Sequence, residues 1–416
     1  MRGIASALVL GLLVLFPVPS SHSVKAQDPA RLPAQGCADY PGNPLLDHSE
    51  PFTAVAFNNS TYTDYATKYE YPSVIRQGGA YIMWFSGAIH NVTGIFTASS
   101  QNGITWDVRP TPVLSLGLNG TWDDSAVYSP YVLWNGTMYL LYYTGSGTDS
   151  FRQVGLAYSP DNAHWTRYPS NPVLTAGPGY YDSWWTRFSD VILDNGIFRM
   201  WYTGHPVVNS SSWFLSVDYA ESADGIHWNK YSGNPVLGDS QSFWNGTSYF
   251  SHPSVVKMGG SYIMVLDDYT QISYATSHDG ISWTASKSVL VSPAGSPTWV
   301  NGSTLGASAL VNGSSLLIWY WGRGFSSGNE TSGIALAKCS LVVVSTTSKS
   351  TETTTATTTK LVTVERTQVT TRTFLKTGFG SLDSPEGAIL GVSLVSAGLL
   401  LGLGLMTALA RRRPKA

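Results

Sequence analysis

Cysteine is almost missing from this chain: its 416 residues include Cys37 and Cys339 and no others. Nor is there a basic run outside the C-terminal tail, and with a formal net charge of -2 nothing supports nucleic-acid binding. His90, His205 and His252 lack the close spacing of a metal site, so no metal is expected. Phosphate loops, nucleophile elbows and Cys-His pairs do not stand out either, and no cofactor is expected. In an oxidising exterior compartment the two cysteines, which bracket everything repetitive in the chain, read as one disulfide.

What is present is a repeat. Four copies of one phrase occur, at Ser100 to Trp106, Ser159 to Trp165, Ser222 to Trp228 and Ser277 to Trp283, with tryptophans 59, 63 and 55 residues apart. That period suits one four-stranded antiparallel unit, and such units stacked radially make a β-propeller. Ahead of each phrase lie paired β-branched and aromatic runs around Gly-Gly or Asn-Gly turns, such as Pro72 to Ile75 with Tyr81 to Phe85. After it come closing segments, Asn171-Pro172-Val173-Leu174 and Asn234-Pro235-Val236-Leu237, with Thr111-Pro112-Val113-Leu114 as a weaker copy. A fifth set, at Ala307 to Leu310, Leu316 to Tyr320 and Gly333 to Lys338, has no closing segment behind it. The missing piece stands at the front, as Asn43-Pro44-Leu45-Leu46. The expectation is an all-β, five-bladed propeller over 37–343, its ring closed by the N-terminal strand and its seam stapled by Cys37 and Cys339. A phrase that recurs from unit to unit reads as scaffold: Asp and Gly make the turn, and Trp fills the space between units.

The flanks place this body outside a membrane. Residues 1–26 read as a signal peptide, with Arg2 before an apolar run from Ile4 to Phe16. From 344 to 386 Ser and Thr replace the aromatics, which reads as a disordered stalk. Residues 388–410 are uncharged and long enough to span a bilayer as one transmembrane helix, and the basic tail 411–416 keeps that end cytoplasmic. Sequons at Asn91, Asn119, Asn135, Asn209, Asn245, Asn301, Asn312 and Asn329 suit a glycosylated exterior. The expected location is the cell membrane, single-pass, with an extracellular propeller.

The Ser-x-Asp-Gly-x-x-Trp turns and Asn-Pro-Val-Leu closing strands resemble those of the five-bladed glycoside hydrolase superfamily of arabinanases, xylosidases, fructosidases and mannoside phosphorylases, over roughly residues 37 to 339. The phrase is also similar to the sialidase Asp-box, with one residue fewer between Asp and Gly. The resemblance implies carbohydrate as partner and hydrolysis of a glycosidic bond as activity, with two or three carboxylates converging at the axis, each just before the Pro that starts an innermost strand. Here those positions hold Tyr71, Ser129, Phe188 and His252, none of them acidic.

Strand alternation makes Ser73, Tyr131, Asp190 and Ser254 the next axis-facing residues, so Asp190 is the carboxylate expected to point inward. Catalytic partners for it would be Glu70, Asp124 or Asp268. The loops that reach the same face hold Trp122, Trp184, Trp185, Arg187 and Trp244, aromatic platforms among charges such as a sugar requires, with Tyr71, Tyr131 and His252 at the axis. Asp123 and Asp182, each seven residues before the start of an inner strand, read as loop caps. Three readings stay open at this point: a glycosidase-like enzyme, a non-catalytic glycan-binding module, and an adhesion or envelope protein working through its rim. Convergence of two carboxyls on the axis would favour the first.

Overall fold

The computed structural model describes residues 37–47, 51–55, 61–89, 92–177, 181–206, 215–238, 249–293, 300–326, 329–354 and 362–377. The signal peptide, the span 388–410, the basic tail, His90 and Trp244 lie outside them. Among the described residues no helix is long and apolar enough to cross a membrane.

The described chain is all strand and turn. Each antiparallel meander begins with an inner strand, and these are Thr61–Gln77, Ala126–Trp134, Trp185–Asp194, Ser251–Met258 and Ser303–Asn312. A hairpin leads from each to a second strand. The turns Gly78-Gly79, Asn195-Gly196 and Gly259-Gly260 have positive φ at both central residues, the conformation that matches the twist of paired strands. Consecutive inner strands pack side by side, and Ser303–Asn312 packs on Thr61–Gln77. Apolar clusters fill the wedges between neighbouring sheets. One joins Tyr81, Met83 and Phe85 to Leu317, Trp319 and Leu336, across the two ends of the repeat.

The fourth strand is usually broken in two. Asp107–Val108 and Leu114–Ser115 both pair with Val92–Ser100, and the fifth unit receives Ala38–Asp39 and Leu46–Asp47 from the N-terminal segment in the same fashion, both on Asn329–Thr354. At the break, a closing asparagine replaces ladder bonds with its own amide. Asn43 bonds the N–H and C=O of Leu336, Asn171 those of Leu156, and Asn234 those of Tyr219. The peptide to the following proline is cis in all three. The asparagine is absent from two units: in the first, where Thr111 stands before Pro112, the strand is still broken, and in the fourth Trp283–Val291 runs as one strand with slips in its register. Cys37 and Cys339 form a disulfide with Cα atoms 4.5 Å apart, inside the range the bond allows.

The repeated phrase is scaffold in its geometry too. Asp224 Oδ1 caps the N–H groups of Ile226 and His227 while Ser222 Oγ takes that of Gly225, and Asp279 and Ser277 do the same one unit on. The turn glycine then offers its carbonyl to the neighbouring sheet: Trp201 donates to Gly280, Trp319 to Gly103 and Tyr142 to Gly225. The Ser/Thr-rich segment, expected without structure, differs in part. Asn329–Thr354 continues past the last sheet and pairs with Val362–Thr377, an arrangement that the β-branched Val and Thr of both strands favour.

Candidate functional site at the propeller axis and mouth

Each inner strand enters the axis through the same kink. Tyr71, Ser129, Phe188, His252 and Gly306 all lie in the left-handed region, with φ between 49° and 54°, and the pairing register slips beside each one. A non-glycine residue there is uncommon. Only Gly306 has a steric reason to be glycine, because a Cβ on it would stand 2.8 Å from the Tyr71 ring.

Two hydrogen-bonded rings hold the kinks together. In the inner one, the side chain just past four of the five kinks accepts an N–H from the next strand: Ser73 from Val132, Ser254 from Ala309, Ser308 from Val74 and Asp190, through Oδ2, from Val255 at 2.6 Å; past the Ser129 kink stands Tyr131, whose hydroxyl turns to Asp190 instead. Asp190 thus occupies a serine's place. In the outer ring, second-strand residues accept the N–H of the kinked residue: Ser86 from Ser129, Thr144 from Phe188, Thr203 from His252 and Asp267 from Gly306. Here too one acid replaces a hydroxyl. Asp267 Oδ2 also lies 2.8 Å from His252 Nδ1, both side chains being buried.

Burial pushes the Asp190 carboxyl well above the usual carboxylate range, only partly opposed by the Val255 N–H and the Tyr131 hydroxyl. It is the one carboxyl among the residues lining the axial cavity, whose volume is about 30 Å³. That is room for a water or two and far too little for a sugar ring. Aromatic rings fill the rest: Tyr71 packs on His252 at 5.2 Å, Phe188 at 5.4 Å and Trp321 at 4.9 Å, and Phe188 meets His252 at 3.8 Å.

The remaining expected acids do not join Asp190 in this lining. Glu70 sits on the strand beside Tyr71, 3.7 Å from the Lys68 ammonium. Asp124 accepts from Gly120 and Ser125 within its own loop. Asp268 is buried and shapes its turn by accepting from the N–H groups of Thr270 and Gln271. The recurrent pair, Asp123 and Asp182, each take a tyrosine hydroxyl and a cation, Tyr143 with Arg167 and Tyr202 with Lys230.

Among the expected platforms, Trp122 is packed away. Its ring lies where Cβ atoms on Gly145 and Gly155 would be, 2.6 and 2.7 Å from it. Tyr131 lines the axial cavity, and its hydroxyl interacts with Asp190. Trp184 is partly exposed and stacks on Trp185 at 4.2 Å, with His205 4.7 Å from the Trp185 ring. Two guanidinium groups approach that same indole, Arg152 at 4.1 Å and Arg187 at 4.6 Å from its centroid. Arg187 is 4% exposed, faces the Phe188 ring at 4.4 Å and donates to the Tyr269 hydroxyl at 2.7 Å. Burial keeps the His205 imidazole below its usual value, and the charges of Arg187 and Arg152 push the same way against the Pro206 carbonyl.

Arg152, His205, Tyr128 and Tyr269 complete this mouth, and their convergence is not evident residue by residue in the sequence. Arg152 and Trp185 meet through a parallel bridge between the second and third units. The signal that could have found them is their shared place at the ends of strands on one face.

No family model matches the chain. Two uncharacterised proteins of Mycobacterium tuberculosis are each 28% identical to it over 225 residues, which is 50% of this chain and 72% of theirs. Among solved structures, one described as a glycoside hydrolase superposes with TM-score 0.54 at 18% identity, over 70% of this chain and 92% of its own length. A family 117 glycoside hydrolase from the marine bacterium Zobellia galactanivorans gives 0.52 at 17%, over 71% and 91%, and a thermostable family-43 glycoside hydrolase 0.50 at 18%, over 64% and 88%. At such identities the likeness shows the fold alone, a β-propeller like that of these glycoside hydrolases.

Proposed function

We propose that this chain is a cell-surface glycan-binding protein built on a glycosidase-like scaffold: a five-bladed propeller, closed by its N-terminal strand and held outside the cell by the 388–410 helix. The saccharide rests on the mouth, against Trp184 and Tyr269, and no glycosidic bond is cut. One observation carries this reading. Hydrolysis of a glycoside uses two carboxyls across the scissile bond, whereas the axial lining offers Asp190 alone, already bonded to Val255.

A second reading, hydrolysis, draws on the likeness to glycoside hydrolases and on Asp190 itself, whose carboxyl burial pushes above the usual range, the direction a general acid requires. It needs a partner such as Glu70 to reach the axis. A glycan-binding screen run beside a reducing-sugar assay on the same panel separates the two. Binding without turnover is the expected result. Turnover by the wild type that disappears in Asp190→Asn would overturn it in favour of the enzyme.

A further inference from the structure

We infer that the mouth selects a carboxylate-bearing saccharide, a uronic acid unit, with Arg187 as its buried counter-charge and Arg152 as its outer one. This deepens the glycan-binding reading and rests on it. The starting point is a charge count. Arg187 presents a guanidinium that is 4% exposed, and no acidic oxygen among the described residues lies within 4 Å of it or of Arg152. Buried cations are ordinarily paired, because the protein interior replaces hydration poorly.

The acids nearby are committed elsewhere. Asp267 serves Gly306, Tyr269 and His252, Asp268 serves its own turn, and Asp190 serves Val255. Arg187 has five N–H donors, and among the described residues the Tyr269 hydroxyl is the acceptor it has. Its Nε is buried with no partner. The Trp185 and Phe188 rings attract the charge but accept no conventional hydrogen bond, so they hold the guanidinium in place without using its fork.

An incoming group should therefore be anionic and planar, since a carboxylate meets a guanidinium through two parallel bonds. It should also carry an apolar face. The partly exposed Trp184, held by its stack on the buried Trp185, supplies the surface for one, and the Tyr128 hydroxyl, buried and unpartnered, can take part in a hydrogen bond with a ring hydroxyl. Carboxylate, apolar face and hydroxyls on one small ring describe a uronic acid. A neutral sugar would leave the charge of Arg187 uncompensated.

The test is titration calorimetry of the full-length protein in mild detergent with oligogalacturonate, oligoglucuronate and oligomannuronate, each against its methyl ester and against a sulfated neutral oligosaccharide. One acid should bind roughly ten- to a hundredfold tighter than its own ester, the range expected for a charged hydrogen-bonded pair. Arg187→Met, which keeps the packing on Trp185, should abolish that preference. Arg152→Gln, at a partly exposed site, should weaken binding of the acid several-fold more than binding of the ester. Equal affinity for every acid and its ester would overturn the inference while leaving glycan binding intact. So would a preference that survives in a folded Arg187→Met protein, or binding of the sulfated sugar alone. Absence of binding to every sugar would remove both.

Discussion

Asp190 stands where Ser73, Ser254 and Ser308 stand in other units, and the exchange of hydroxyl for carboxyl ties the fold to pH. Its folded pKa is raised while the unfolded chain titrates near the ordinary value of 3.8, so the native state holds its proton to higher pH. The associated stability is complete below that ordinary value and is lost as pH rises through the folded one. Asp190→Asn keeps an acceptor for Val255 and cannot ionise. Its urea midpoint should fall less than that of the wild type between acid and neutral pH, whereas Asp190→Ala should lose about 1–3 kcal/mol at acid pH by orphaning the Val255 N–H. Identical pH profiles for wild type and Asn variant would show that Asp190 does not titrate in this way. Alternation along the strand was enough to turn Asp190 toward the axis. That it would meet the Val255 N–H was hidden, because that contact lies between strands 65 residues apart in sequence.

At the scale of the element, the closing segments were legible because they repeat, and their displaced copy at Asn43 announced the seam. The break in the strand was not legible. In three units it is bridged by one side-chain amide that bonds both backbone groups of a residue on the adjacent strand, as Asn234 does to Tyr219. Asn234→Ala should therefore cost about 1–3 kcal/mol, since it leaves a part-buried donor and acceptor without partners. Asn234→Asp, which can accept but not donate, should fall between that variant and wild type in thermal unfolding. A neutral alanine variant would mean that water replaces the amide. The fifth unit was legible from Ala307 onward although its kink, like that at Phe188, has no proline behind it; Gly306 is glycine because the Tyr71 ring fills its place.

For the whole molecule, the arrangement of the ends matters more than any one sheet. The N-terminal strands pair with Asn329–Thr354, and the bond between Cys37 and Cys339 joins residues separated by 302 positions. By loop entropy such a link contributes on the order of 5 kcal/mol at most. Reduction should lower the unfolding temperature measurably, and an unchanged transition under reductant would show that strand pairing alone closes the seam.

The backbone from Cys37 to Cys339 and the disulfide together make a covalent circle that contains every inner strand. A protease that cuts any one loop of that circle opens it without detaching a piece. Limited digestion should accordingly yield nicked protein that runs as one band on a non-reducing gel and as two after reductant. The proposed sugar-binding face would therefore survive a first cut, and only a second would release a fragment.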